Sequence, residues 1–392
     1  MRRNIFYSIL AFLGLFLAGA MILHPQSTFQ GALYGLKTWA LVLVPALLPF
    51  IIISDILVEL GVVRLLGVLL EPLMRPLFKQ PGEAGFVVAM GFTSGFPMGA
   101  VLTNTLYEKN LLTREEAGRL LAFTNNSSPL FLLVAIPVGM FNNPHLGVIL
   151  LLAHYGANLC LGLILGIFGN NNKKISFQGS LVKKSLKELI GIQKNAKPLG
   201  SLLGSAVNKS IQNMLTIGGF VIFFAVLIEV FKETNLSYFL TLFFSKILVL
   251  IGVNPILGEG ITTGFFEMTL GAQKVAQINV SLIQQLMIVS LILGWSGLSI
   301  QAQVTSIAAR NNLPISYYLG GRFFQGILAM FLTLLLFKPL SNIIPASKFN
   351  FFPQENITFF NYYTFSFGAA LVVIFILLVL SGIWRIILHV TK

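Results

Sequence analysis

The chain has 392 residues, 56% hydrophobic and only 10% charged, with a formal net charge of +13. Soluble domains carry about 25% charged residues, so an ordinary soluble domain is excluded; recurrent apolar runs of bilayer length mark an all-α, polytopic protein embedded in lipid. The positive charge does not point to nucleic acid, because no aromatic-plus-basic motif accompanies the lysines.

Residues 1–36 are read as an N-terminal transmembrane helix, with Arg2 and Arg3 ahead of the apolar run Ile5–Leu23. No small-x-small cleavage site follows that run, so a retained helix is expected rather than a signal peptide. Residues 37–168 form a first repeat. It holds an apolar helix (38–57) ending in Asp55 and Glu59, which are expected to be solvated. An amphipathic piece, Arg64–Phe78, follows, with Glu71, Arg75 and Lys79 on an interfacial face. Next come a Gly-rich segment, "AGFVVAMGFTSGFPMGAVLTNTLY" (84–107), a helix interrupted by polar residues (118–141) and a full helix (146–168). In that last helix Cys160 is expected to be a small buried residue and His154 a packed polar one. Residues 169–204 hold seven lysines (173, 174, 183, 184, 187, 194, 197) against the single acid Glu188, the signature of a cytoplasmic loop.

Residues 205–340 repeat the order: a helix (211–231), a short apolar piece (238–251), "GEGITTGFFEMTLGA" (258–272), "LILGWSGLSIQAQVTSIAAR" (291–310) and a full helix. An offset of about 172 residues superposes the unusual elements; such internal symmetry is a transporter signature. Residues 341–392 are read as an extracytoplasmic loop and a C-terminal helix. With Arg2 and Arg3 inside, the basic loop lies inside only if 84–107 is a re-entrant hairpin. Each arm then spans about 15 Å, half a bilayer. The second hairpin, near 254–277, opens from the other side, so the repeat is inverted.

The stretch "LLAFTNNSSPLFLLVAIP" (120–137) sets Thr124, Asn125, Asn126, Ser127, Ser128 and Pro129 inside an oily helix. Unsatisfied backbone groups cost several kcal/mol each in hydrocarbon, so this break must face protein or a water-filled cavity. Ser127 or Ser128 suits an N-cap and Pro129 a first helical position. Gly95 and Pro97 repeat the idea at the hairpin tip. Two half-helix starts at mid-depth would attract a dianion or build an ion site. In the second half Ser299, Gln303, Ser306 and Arg310 share one helical face and are read as cavity lining. Glu259 and Glu267 sit in the Gly-rich hairpin, where an ionisable group is costly and usually functional, so either is a candidate for a coupling cation or proton. No HExxH, GxSxG or acidic metal pair occurs, so no enzyme activity, metal or cofactor is expected.

Together, "LVPALLPFIIISDIL", "EPLMRPLF…PG", "MGFTSGFPMGA", "EEAGRLLAFTNNSSPLF" and "HYGANL" resemble the YlbJ family of sporulation integral membrane proteins, also called stage V sporulation protein V. The resemblance covers nearly the whole chain and is most specific in the first half. It implies Gate, or nucleoside-recognition, domains distantly like concentrative nucleoside transporters. It also implies movement of dipicolinic acid from the mother cell across the outer forespore membrane. By motif it carries substrate contacts to Gly95, Pro97 and Thr124–Ser128, less firmly to Glu267 and Gln303; on the transport hypothesis Arg310 or Arg322 is expected to assist near the inner mouth. A nucleoside or other small-metabolite transporter, and a non-transporting sporulation membrane protein, stay open as alternatives.

Overall fold

The computed structural model describes residues 2–129, 131–169, 190, 198–343 and 372–382. Among them every regular element is helical. The lysine-rich stretch and most of the C-terminal region lie outside the described residues. Helix α1 (Arg2–Leu23) turns through 103° at His24. The chain then runs unbroken through α2 (Pro25–Thr38), a π-helical turn (Trp39–Leu43) and α3 (Val44–Glu59). The π turn lies just before Pro45, whose missing amide breaks the ordinary ladder. The expected boundary at residue 37 therefore falls inside one continuous helical run.

The rest of the first repeat comprises α4 (Val62–Phe78), the hairpin α5 (Ala84–Ser94) and α6 (Met98–Glu108), α7 (Arg114–Thr124), a break, and α8 (Leu146–Ile167). The second repeat comprises α9 (Leu199–Glu233), α10 (Leu236–Leu250), the hairpin α11 (Gly258–Phe266) and α12 (Met268–Gln277), the broken pair α13 (Leu282–Trp295) and α14 (Gly297–Ala309), and α15 (Ser316–Ile343). The packing also repeats: α4 lies on α5 as α10 lies on α11, and α6 meets α7 as α12 meets α13. The closing helices are shared, because α15 packs on α7 and α8 packs on α13. Helices α8, α9, α13–α14 and α15 are each long and apolar enough to cross a membrane.

The two opening runs are the scaffold. Each covers 35 residues, about 52 Å of helix, and they pack antiparallel along their length. Near one end Ser27 Oγ donates to Glu233 at 2.8 Å. In the middle the Trp39 indole N–H donates to the Met214 carbonyl at 2.8 Å. At the other end Lys209 meets Asp55 at 3.2 Å. Equivalent helices of the two repeats thus point in opposite directions, as inversion requires. Close approach rests on Gly35, where an added Cβ would stand 2.7 Å from the Ile222 Cα.

Helix α9 also measures where the hairpins enter. Lys209 binds Glu108 at 3.3 Å, at the base of the first hairpin. Lys232 shares a cavity with Glu259 and Lys274, at the base of the second. These two lysines stand about 34 Å apart along the helix, a full hydrocarbon thickness. The hairpins therefore enter from opposite ends and their tips meet in the middle.

Several polar residues differ from expectation. Asp55 and Glu59 are ion-paired, with Lys209 and with Lys109 at 2.6 Å, because α9 brings Lys209 and the hairpin base brings Lys109 to the end of α3. Arg75 is buried rather than interfacial, held between Glu71 at 2.8 Å and Glu116 at 3.1 Å. Cys160 is exposed on the outer side of α8, not buried, because the opposite face of that helix carries His154, Ala157 and Asn158 into the core.

Gly35→Leu should cost about 1–3 kcal/mol through overpacking at the scaffold crossing and lower the melting midpoint of the detergent-purified protein. Gly219→Ala, where an added Cβ meets nothing within 4 Å, should leave the midpoint unchanged.

Candidate substrate cavity

After Thr124 the chain leaves helix from Asn125, which is extended, to Ser128, and re-enters helix at Pro129, with a π-helical turn over Phe131–Ala135. Ser128 is the cap: its Oγ accepts from the Phe131 amide at 3.3 Å and its carbonyl from the Leu132 amide at 3.1 Å. The carbonyls freed by the break find donors on three sides. Arg322, fully buried on α15, donates to the carbonyls of Asn125 at 2.7 Å and of Ala122, and to Asn158 Oδ1 at 3.0 Å. Its guanidinium also lies 5.4 Å from the Tyr318 ring centroid. Tyr155 Oη donates to the carbonyls of Ser127, at 3.0 Å, and of Phe92. The Ser127 amide donates to His154 Nε2 at 3.2 Å.

The residues expected to meet substrate therefore divide. Thr124 Oγ1 donates to the Leu120 carbonyl at 2.7 Å, and the Thr124 carbonyl is pressed against Gly91 and Gly99 of the hairpin. The Asn125 amide bridges the Leu121 carbonyl at 2.9 Å and the Ala100 amide at 2.9 Å, tying break to hairpin. The Asn126 Nδ2 faces the Phe123 carbonyl at 3.4 Å. These three close broken backbone and do not line the cavity; Ser127 and Ser128 do.

At the first tip Gly95 adopts φ +89°, a turn no other residue takes without strain, and it lies against Ser128. Pro97 is buried and occupies the N-cap of α6, one position before the expected first turn, and it does not reach the cavity. At the second tip Glu267 joins α11 to α12, and its carboxylate accepts from the Leu270 amide at 2.7 Å. The α13–α14 break at Ser296 and Gly297, both with positive φ, sits against this tip; a Cβ at Gly297 would stand 3.2 Å from the Glu267 Cα. Gln301 restores a donor to the Trp295 carbonyl at 2.9 Å. Each tip thus docks on the break of its own repeat.

These parts enclose a cavity of about 440 Å³, within the range of about 300–1,000 Å³ usual for small-molecule sites. Gly95, Ser127, Ser128, Glu267, Ser299 and Gln303 all line it. The α9 residues on its wall, Ile217, Val221 and Ala225, lie midway between Lys209 and Lys232. Tyr34, Thr38, Ser94 and Thr269 also line it and are not among the site residues expected from sequence. Among the described residues no lysine or arginine lines it. Glu259 lies elsewhere, half-exposed and paired with Lys274 at 2.7 Å. Arg310 binds Asn213 at 2.7 Å and Thr216 at 3.1 Å, also off the cavity. Arg322 lies behind the break rather than at a mouth.

A family model described as "Gate: Nucleoside recognition" matches residues 40–169. The chain is 41% identical over 332 residues to the sporulation integral membrane protein YlbJ of Bacillus subtilis (strain 168), covering 83% of this chain and 81% of that protein. The chain belongs to the YlbJ family. No solved structure matches it. The Gate match spans α3 to α8 with the first hairpin and first break, so it covers one wall of the cavity. The second hairpin, with Glu267, lies beyond it. The YlbJ-family chain described here is thus an integral membrane protein of a sporulation family, with a Gate-type half and a second half of the same element order.

Arg322→Leu should strand the carbonyls of Ala122 and Asn125 and the Asn158 oxygen, at about 1–3 kcal/mol for each unsatisfied group. Melting of the purified variant should fall well below the parent, with Arg322→Lys intermediate. A parental midpoint for Arg322→Leu would show that the break does not depend on this side chain.

Proposed function

We propose that this protein transports dipicolinate from the mother cell across the outer forespore membrane, using the central cavity as its binding site. The observation that carries the reading is the convergence of two opposed hairpin tips and two broken helices on one cavity at mid-depth of the scaffold helices. A static anchor has no need of such a site, whereas alternating access is built around one. The cavity's chemistry suits a flat ring with polar edges. Leucine, isoleucine and phenylalanine side chains supply the ring's surroundings, and Ser127, Ser128, Ser299 and Gln303 supply donors. The Ser127 and Ser128 hydroxyls at the first break and Ser299 at the second give a carboxylate donors from both repeats.

Charge accounting assigns Glu267 its part. Its carboxylate already occupies the N-terminus of α12. A substrate carboxylate about 6 Å away would be repelled by about 3 kcal/mol at an effective dielectric constant of about 20. A proton or cation at Glu267 removes that repulsion. Binding of the dianion is therefore linked to uptake of positive charge, which is the basis of coupling.

In proteoliposomes, Glu267→Gln should abolish gradient-driven accumulation of labelled dipicolinate while preserving its exchange across the membrane. Accumulation equal to the parent would remove Glu267 from coupling. In a sporulating host, deletion of the gene should leave dipicolinate synthesis intact and strand the acid in the mother cell. Normal forespore dipicolinate would defeat the substrate assignment. Competition of transport by uridine but not dipicolinate would instead favour a nucleoside, the ligand that the Gate model's description names.

A further inference from the structure

A second cavity, of about 510 Å³, lies at the base of the second hairpin. Its wall is mixed, with Thr262, Thr263, Gln273 and Gln277 alongside the ammonium groups of Lys232 and Lys274 and the carboxylate of Glu259. It sits at the C-terminal end of α9, and the lysine-rich stretch precedes the N-terminal end. The cavity is thus at the face away from the basic loop. Leu270 lines both this cavity and the central one. The same residue's amide is held by the Glu267 carboxylate at 2.7 Å.

Among the described residues, both lysines are held by exposed ion pairs. Lys232 meets Glu229 at 2.6 Å with its side chain 52% exposed, and Lys274 meets Glu259 at 2.7 Å with its side chain 40% exposed. Such pairs are worth about 0–1 kcal/mol. An incoming carboxylate can therefore share Lys232 and Lys274 with Glu229 and Glu259, whose exposed charges are screened by water. The two glutamines and the threonine hydroxyls supply neutral donors beside the ammonium groups.

We propose that this cavity is a second binding site, for small carboxylate anions, at the face opposite the basic loop, and that the Leu270 side chain partitions it from the central cavity. Its purpose, a station on the permeation route, rests on the transport reading. Its test does not need flux. Glu267 connects the two sites, because the carboxylate that senses charge in the central cavity also caps the helix turn that carries Leu270.

The chain has one cysteine, so Cys160→Ser gives a thiol-free background. On it, Gln273→Cys reports the second cavity and Ser299→Cys the central one, each labelled in membranes from either face with anionic and cationic methanethiosulfonates. Relative to their rates on a free thiol, the anionic reagent should react several-fold faster at Gln273→Cys, from the face opposite the basic loop. The preference should vanish with Lys232→Gln and Lys274→Gln together, and an aromatic dicarboxylate should slow the reaction. Ser299→Cys should stay protected from that face until Leu270→Ala raises its rate about tenfold, or about 1.4 kcal/mol of barrier; Leu270→Met should keep the protection. Equal rates for the two reagents, indifferent to the lysines, would overturn the anion site. Fast labelling of Ser299→Cys with Leu270 in place would overturn the partition. Protection by an aromatic dicarboxylate but not by dipicolinate would leave this site standing and remove the substrate reading instead.

Discussion

A helix broken inside hydrocarbon must find partners for every backbone group it frees, and the core of this protein is organised around that demand. The break at 125–128 exposes carbonyls that water would satisfy in a soluble protein. Here Arg322, Tyr155 and the side chain of Asn125 satisfy them, while His154 takes the Ser127 amide. This explains why α8, which otherwise presents apolar surface, carries histidine, tyrosine and asparagine at mid-length, and why α15 carries arginine in its second turn. A buried arginine without a carboxylate is expensive in isolation. It is tolerated because the C-terminal end of α7 presents partial negative charge to it. The cation and the interrupted helix each remove the cost of the other.

That arrangement also interlocks the repeats. Arg322 belongs to the second repeat and satisfies the break of the first; α8 belongs to the first and packs on α13 of the second. The first half does not close its broken helix alone, whereas the second closes its own through Gln301. The tips, by contrast, differ in character. The first is Gly95-Phe96-Pro97, without charge, and lies against Ser128, which itself accepts from the Phe131 and Leu132 amides. The second places Glu267 at the pseudo-equivalent position, where its carboxylate occupies the amides of α12. The two hairpins share a backbone layout and differ in the charge at the tip.

Much of this was legible in sequence because the relevant rules are local. Ser-Pro inside an apolar run, Gly-Phe-Pro between two apolar arms, and a recurring order of such elements are readable from spacing alone. Ser128 caps the helix after it for the reason its neighbour Pro129 suggested. What was not legible depends on long-range partners. Pro25–Thr38 carries glutamine, serine, threonine and lysine, so its hydropathy resembles a loop. It is a scaffold helix because Gly31 and Gly35 admit α9, a contact nearly two hundred residues away. Asn125 and Asn126 are the residue types of a binding site, and only the fold shows their amides turned to local carbonyls. Glu259 and Glu267 share one Gly-rich segment. The hairpin geometry separates them, sending one to the tip and the other to the base.

The two ends of α9 are held unequally, and that difference bears on motion. At the basic-loop end, Lys209 joins Asp55, Thr105 and Glu108, while Asn311 donates to Asn104 and Glu108, so the first hairpin is bonded across the repeats. At the other end, the ion pair of the second hairpin, Glu259 with Lys274, is internal to it, and a cavity lies beside it. On the transport reading this is a conformation fastened toward the basic loop and loosely held toward the opposite face. The fastening consists of half-exposed ion pairs and neutral hydrogen bonds, each worth on the order of 1 kcal/mol. A few such contacts set a gap of a few kcal/mol between access states, small enough for a ligand with different affinity for the two states to reverse. The broken helices carry no such freedom, since Arg322 and its partners are buried and shared between repeats. Movement is therefore expected in the hairpins, about tips that stay docked on rigid breaks.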